Sequence, residues 1–136
     1  VRNIQATREF CWNLVTRDLA ERMNATSATV AADVSEFDLA GLTPAASRRI
    51  AVPRVADTPV SFECRLVEVI QLHSADRVPL DGWLVLGEVV GVHIARALLV
   101  DGTYRNTLAH PIVRGGGPSQ YFEITADREF HMRRPG

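Results

Sequence analysis

Two long segments in which apolar residues alternate constrain the fold of this chain more than any other feature. The first is VSFECRLVEVIQL at residues 60–72, and the second is WLVLGEVVGVHI at residues 83–94. A period of two over a dozen residues predicts a β-strand in each case, and the link of about ten residues predicts an antiparallel hairpin. Apolar residues occupy much of both faces of these strands. The pattern therefore favours a barrel or a dimer interface over a free-standing sheet.

In each long segment one carboxylate interrupts an apolar face, Glu68 in the first and Glu88 in the second. Burying a carboxylate is unfavourable unless the group is paired or reaches water. We therefore interpret both residues as edge positions or salt-bridge partners in preference to catalytic groups.

The rest of the chain predicts shorter elements. They are helices at 2–8, 16–23 and 34–42, strands at 10–15 and 120–124, a proline-rich connection at 43–59 and a turn at 101–102. Thr16 and Ser35 stand where helix N-caps are expected, and Gly41 stands where a helix ends. We therefore predict a mainly β fold with short helices, and a single domain over residues 1–136.

The charge balance and the cysteines bear on partners and location. Fifteen basic residues face sixteen acidic ones, a formal net charge of −1, so no overall field attracts nucleic acid or an anionic membrane. No apolar run approaches the roughly 20 residues that a membrane-spanning helix needs. Cys11 and Cys64 lie in apolar runs, which favours buried free thiols in a reducing compartment. We expect a cytoplasmic protein that has neither nucleic acid nor a membrane as a partner.

Several catalytic and metal-binding motifs are absent from the sequence. It has no GxGxxG between a strand and a helix, no Walker loop and no GxSxG elbow. The histidines at 73, 93, 110 and 131 lack metal-ligand spacing, and neither cysteine has a CxxC partner. The sequence therefore predicts no metal site, and it identifies no general acid or base.

Two segments rich in small and polar residues remain as candidate binding sites. NATSA at 24–28 offers an amide, two hydroxyls and backbone donors, groups that bind phosphate or the edge of a heteroaromatic ring. A plain helix end is its other interpretation. RGGGPSQY at 114–121 offers bare backbone and one guanidinium, and its other interpretation is a flexible turn.

Several segments, in the same order, resemble the flavin reductase-like family of FMN-binding split-barrel proteins. They are RNIQATREFCWNLVTRDLAERMNATSA, VSEFDLAGLTPAASRRIAVPRVADTPVSFECRLVEV, LVLGEVVGVHI and the RGGG…Y element, which together extend from residue 2 to about residue 122. The resemblance implies a Greek-key split β-barrel that forms a homodimer and binds FMN near the dimer interface. Members carry an element that grips the FMN phosphate upstream of the RNI segment. The chain opens VRNIQATREF without an initiator methionine, so we expect an N-terminal part to be missing.

The same resemblance implies which residues contact the flavin. They are Asn24, Ala25, Thr26, Ser27, Ala28, Phe37, Arg114, Gly115, Gly116 and Tyr121. Hydroxyls and main-chain amides suit a neutral isoalloxazine ring, which needs hydrogen bonds along its N3, O2 and O4 edge. The RGGG segment would supply bare backbone where a ring system must fit.

The resemblance further implies an oxidoreductase that takes hydride from NAD(P)H onto FMN and supplies reduced flavin or electrons to a partner oxygenase or electron-transfer protein. Many reductases of the family carry a Gly-Asp-His element before the strand that contains GEV, whereas this chain has HSADRVPLDGW at 73–83. That departure favours two alternatives. One is a non-catalytic flavin-binding module, and the other is a flavoredoxin-type electron-transfer protein without NAD(P)H turnover.

Overall fold

The structure is a computed structural model and describes residues 1–31 and 33–136. The helices are α1 Arg2–Thr7, α2 Ala20–Ala25 and α3 Glu36–Ala40. The strands are β1 Glu9–Asn13, β2 Pro44–Ala45, β3 Arg54–Val55, β4 Val60–His73, β5 Pro79–Ile94, β6 Leu99–Val100, β7 Thr103–Tyr104, β8 Ile112–Arg114 and β9 Tyr121–Glu123. The predicted mainly β fold with short helices is confirmed. In the part of the chain that the structure describes, no helix is long and apolar enough to span a membrane.

The chain divides into two compact units. The first unit consists of Val1–Asn13, Thr43–Ala56 and Val60–His93. The second consists of Leu14–Leu42, Asp57–Pro59 and Ile94–Gly136. That residues 1–136 form one domain stays a prediction.

A three-stranded sheet in the order β1–β4–β5 is the frame of the first unit. β1 runs antiparallel to β4, and their register pairs Cys11 with Glu63. β4 and β5 also run antiparallel, since a Cβ placed on Gly82 would lie 3.6 Å from Leu72, whereas one placed on Gly91 would lie 3.2 Å from Glu63. The predicted hairpin of two long strands is therefore confirmed.

The link within this hairpin is shorter than predicted. It spans only residues 74–78, because β5 begins at Pro79 and continues through Gly82. The sequence pattern predicts loop at both residues. Proline lacks the N–H that a strand interior needs, but the first position of a strand tolerates it. The backbone N–H of Ser74 donates to the carbonyl of Val78 at 2.9 Å and closes the link.

β4 has two halves with different surroundings. In the inner half, residues 60–66, Val60 and Cys64 are buried on one face and Ser61 and Glu63 are fully buried on the other. In the outer half, residues 67–73, Val67 is 60% exposed. The inner half pairs with β1, while the outer half lies beyond the end of the β1 register. Glu68 and Glu88 are both exposed, so both carboxylates reach water.

The second unit places the start of α2 beside the β8–β9 hairpin. Thr16 forms an isolated antiparallel bridge with Pro111. The backbone N–H of Arg17 donates to the carbonyl of His110 at 3.0 Å. Residues 14–17 therefore run along residues 110–112, and two segments that are distant in the sequence become neighbours.

Local sequence signals explain the ends of the short elements. The Ser35 hydroxyl accepts a hydrogen bond from a backbone N–H of α3, and Gly41 ends that helix with a φ of 62°. Asp101 and Gly102, with φ values of 50° and 75°, form the predicted turn between β6 and β7. Thr16 makes no side-chain cap, and α2 begins only at Ala20 after a 3-10 turn. The predicted helix at 16–23 is thus displaced toward the C-terminus, because Thr16 pairs as extended backbone.

Candidate functional site

A pocket of about 530 Å³ lies in the second unit between the α2 region and the β8–β9 hairpin. Arg17, Met23 and Asn24 lie on one wall, and Arg114 and Tyr121 lie on the other. Its volume is in the range of sites that hold small organic ligands. The pairing of residues 14–17 with residues 110–112 holds the two walls together.

The Arg114 side chain is fixed within the hairpin that forms the second wall. Its Nη1 donates to the Tyr121 hydroxyl at 2.9 Å, and its Nη2 donates to the Pro118 carbonyl at 2.7 Å. The guanidinium carbon also lies 5.1 Å from the centre of the Tyr121 ring, within the range of a cation–π interaction. Arg114 and Tyr121 are cross-strand partners in the β8–β9 register. The guanidinium is therefore held in one orientation before any ligand arrives.

The glycine run explains how tightly this hairpin turns. A Cβ on Gly115 would lie 2.9 Å from side-chain atoms of both Gln120 and Phe122, so a larger residue would collide there. The Gly115 N–H donates to the Gln120 carbonyl at 2.7 Å. A Cβ on Gly116 would meet nothing within 4 Å. The close approach at Gly115 is therefore made by the hairpin's own side chains, whereas Gly116 has space around it.

The NATSA segment is the end of α2. The backbone N–H groups of Thr26, Ser27 and Ala28 donate to helix carbonyls at 3.1–3.3 Å. The Thr26 and Ser27 hydroxyls also donate, to the carbonyls of Met23 and Asn24 at 2.7 Å. A hydroxyl that donates still has lone pairs, so these two oxygens can accept a hydrogen bond from a ligand. The segment therefore offers hydrogen-bond acceptors to a ligand, whereas the sequence suggested that its backbone N–H groups would serve as donors.

Three of the residues predicted to contact a flavin meet at the pocket: Asn24, Arg114 and Tyr121. Gly115 and Gly116 lie in the loop that joins β8 to β9. The stretch from Ala25 to Ala28 continues from Asn24, and the half-buried Phe37 lies on α3, which contacts α2. Contact between these residues and a flavin stays a prediction.

The sequence analysis missed several pocket residues that the fold supplies. Arg17 belongs to the 3-10 turn before α2, and Glu123 follows Phe122 on β9. Glu123 accepts a hydrogen bond from Nδ1 of His110 at 2.6 Å. No local sequence pattern points to Arg17, because the pairing of its segment with residues 110–112 is what brings it to the pocket.

A second polar cluster surrounds Glu63 in the first unit. Its carboxylate accepts hydrogen bonds from the backbone N–H groups of Arg48 at 2.8 Å and Arg49 at 2.6 Å, and from Nε2 of His93. Burial acts to raise the pKa of the Glu63 carboxyl, but these hydrogen bonds outweigh burial and lower the pKa to about 2. The charged carboxylate therefore fixes the loop at 47–52 against β4. Among the described residues, no group of three or more His, Cys, Asp and Glu side chains is arranged to hold a metal ion.

Comparison with known proteins identifies the family. A model of the flavin reductase-like domain matches residues 1–108. The chain belongs to the flavin reductase-like family. Within that family, it is 31% identical over 118 residues to an uncharacterized protein of Aquifex aeolicus, an alignment that covers 86% of this chain and 57% of the relative.

Solved structures show the same fold. Nitrilotriacetate monooxygenase component B from Bacillus cereus is 30% identical, with a TM-score of 0.85 over 96% of this chain and 63% of that chain. A protein from Shewanella frigidimarina described as a flavin reductase with a split-barrel domain is 26% identical, with a TM-score of 0.76 over 99% of this chain and 64% of that chain. The predicted split-barrel fold of the flavin reductase-like family is confirmed. The chain spans less than two thirds of the length of each of these proteins.

The family match covers only one wall of the pocket. Residues 1–108 include α2 and α3, whereas β8 begins at Ile112. The β8–β9 hairpin, with Arg114 and Tyr121, lies beyond the residues that the flavin reductase-like domain model matches.

Proposed function

We propose that this chain binds FMN at the pocket of the second unit and passes electrons from NAD(P)H through the flavin to an acceptor. The observation that carries the proposal is the convergence of Asn24, Arg114 and Tyr121 at one cavity in a member of the flavin reductase-like family. Bound flavin supplies the hydride and electron chemistry, and the protein orients it and tunes it.

The residues at the pocket suit a planar, mostly neutral ring system with a charged tail. Met23 and Phe122 offer apolar surface to the faces of a ring. The Asn24 amide can both donate to and accept from a ring edge that carries N3–H beside carbonyl oxygens. The hydroxyl oxygens of Thr26 and Ser27 add acceptors for an N–H at the end of α2. Their neighbours Ala25 and Ala28 are small enough to allow close approach.

A second candidate function is electron transfer by bound flavin without NAD(P)H turnover. The observation that favours it is the stretch at 73–83, where many reductases of the family carry a Gly-Asp-His element and this chain does not. A protein of this kind would be reduced by a protein donor. NAD(P)H oxidation separates the two candidates.

Two kinds of protein partner belong to the same proposal. Similarity to a protein named as a monooxygenase component supports an oxygenase as the acceptor of reduced flavin. A second copy of the chain is supported by the apolar side chains that the β4–β5 hairpin exposes. These are Val67, Ile70, Leu72, Leu80, Trp83, Leu84, Leu86, Val89, Val92 and Ile94. The free thiols Cys11 and Cys64 suit the cytoplasm.

Sedimentation velocity tests the proposed homodimer. We expect the wild type to sediment as a dimer and Val67→Lys to shift it toward the monomer, because a charge in an apolar interface is unfavourable. Sedimentation of the wild type as a monomer at all concentrations would remove the homodimer from the proposal.

Steady-state oxidation of NADH and NADPH, with and without added FMN, tests the reductase function. We expect FMN-dependent oxidation, and we expect Asn24→Ala to raise the FMN concentration at half-maximal rate about 5–20-fold through the loss of hydrogen bonds to the ring edge. Asn3→Ala, on the exposed face of α1, is the matched control and leaves that concentration unchanged. FMN binding without nucleotide oxidation would support the electron-transfer candidate, and the absence of both would reject the proposal.

A further inference from the structure

We propose that Arg114 recognises a phosphate group of the ligand in the pocket, and that Tyr121 is the residue that positions Arg114 for this task. The inference rests on the proposed function for the identity of the ligand. It names the group by which that ligand is recognised. FMN and NAD(P)H both carry phosphate, so both are candidate sources. If the phosphate is that of FMN, Arg114 adds to the grip of the element that members of the family carry upstream of the RNI segment.

The guanidinium of Arg114 retains donors for a ligand. Its contacts to the Tyr121 hydroxyl and the Pro118 carbonyl use two of its five N–H donors, and three others remain. Phosphate oxygens accept parallel N–H bonds from a planar guanidinium, a geometry that the point charge of lysine cannot reproduce.

The orientation of Arg114 is set before binding. A free arginine side chain loses considerable rotamer freedom when it grips a ligand, and that loss weakens binding. Here the Tyr121 ring lies against the guanidinium and the Tyr121 hydroxyl holds one end of it. The cross-strand register and the Gly115–Gln120 backbone hydrogen bond fix the hairpin underneath. Part of the entropic cost of binding is therefore met by the fold.

The charges around the pocket make directed hydrogen bonds necessary. Arg17 and Arg114 line it, but so do Glu21 and Glu123, so the lining has no strong net charge. A general positive field would not draw an anion into such a pocket. Recognition of a phosphate must then come from N–H donors placed at hydrogen-bonding distance. Of the two arginines that line the pocket, Arg114 is the one whose side chain is held in place by hydrogen bonds. Glu123 is itself engaged by His110.

The comparison of FMN with riboflavin, which lacks the phosphate, tests the inference directly. Dissociation constants come from quenching of flavin fluorescence by the purified protein. We expect Arg114→Gln to weaken FMN binding roughly tenfold and to leave riboflavin binding unchanged, because hydrogen bonds to charged groups are worth more than neutral ones. Tyr121→Phe keeps the ring and removes the hydroxyl, and we expect it to weaken FMN binding about threefold. Arg128→Gln, at a side chain that is 82% exposed outside the pocket, is the control and changes neither constant.

A second arm identifies which ligand carries the phosphate. NADH is compared with a phosphate-free N-alkyl dihydronicotinamide as the electron donor. If Arg114→Gln raises the KM for NADH alone and leaves the preference for FMN over riboflavin intact, the phosphate belongs to the pyridine nucleotide. If the variant leaves both the FMN preference and the NADH KM at wild-type values, the inference is overturned.

A third measurement separates this inference from the proposed function. If the wild type neither binds flavin nor oxidises NAD(P)H, the proposed function fails, and pyrophosphate is titrated into ¹⁵N-labelled protein instead. A shift of the Arg114 Nε–H resonance that Tyr121→Phe diminishes would retain phosphate recognition at this site. An unmoved resonance at saturating pyrophosphate would reject it.

Discussion

The inner and outer halves of β4 form one continuous strand but differ in their sequence pattern and in their surroundings. In the inner half, residues 60–66, apolar and polar side chains alternate, and residues of both kinds, such as Val60 and Glu63, are buried. In the outer half, residues 67–73, apolar residues occupy both faces, with Val67 on one face and Leu72 on the other, and these two are 60% and 44% exposed. The inner half has β1 beside it and a carboxylate that binds the loop at 47–52, while the outer half lies beyond the β1 register. Apolar alternation therefore predicts a strand well, but it does not predict what covers that strand.

The two glutamates of β4 show the difference most sharply, and we expect the largest effect there. Replacing Glu63 by Gln removes a buried charge from three donors and should lower the free energy of unfolding by about 3–5 kcal/mol. Glu68→Gln, five residues along the same strand and exposed, should change it by less than about 0.5 kcal/mol. Urea denaturation of both variants measures the difference. Equal effects would mean that the surroundings of the two halves are alike.

Two adjacent apolar residues at the boundary of the halves allow a finer comparison. Leu66 is 7% exposed, so Leu66→Ala should lower the free energy of unfolding by about 2–4 kcal/mol through lost burial and a cavity. Val67→Ala should cost below about 0.5 kcal/mol at low protein concentration. A large loss at Val67 that grows with protein concentration would show that a second copy covers the outer half.

The acid limb of stability gives the most specific effect. The Glu63 pKa is about 2 in the folded chain against an ordinary value of 4.5. Because the folded-state value is the lower one, this group stabilises the fold above pH 4.5, and the contribution is lost as the pH falls toward about 2. Urea unfolding at stepped pH should therefore show a shallower acid decline for Glu63→Gln than for the wild type. Parallel declines would assign the acid sensitivity to other carboxyl groups.

How far the sequence predicts this structure varies from region to region. The β4–β5 hairpin, the Ser35 cap, the end of α3 at Gly41 and the turn at Asp101 follow from local patterns. The burial of Glu63 does not, because the alternating pattern places this residue on a polar face and gives no sign of the loop at 47–52 that covers that face. Two of the three partners of that carboxylate are backbone groups of Arg48 and Arg49, and backbone donors leave no mark in a sequence. The third is His93, a side chain 30 residues away on β5.

The candidate site shows the same division. The resemblance to the family pointed to Asn24, Arg114 and Tyr121, and the fold brings these three residues to one pocket. Arg17 was missed because only the pairing of Thr16 with Pro111 carries it there. That the glycine run leaves space for a ring stays a prediction, but Gly115 is also required by the tight packing of Gln120 and Phe122. Tertiary pairing of distant segments decides such details.

The most direct test of the central claim, FMN binding by this chain, is the visible spectrum of FMN recorded anaerobically as the purified protein is added. We expect the flavin band near ~450 nm to shift and saturate as the ring enters the pocket, and then to bleach when NADH is supplied. A spectrum that stays that of free FMN in the presence of excess protein would contradict the claim.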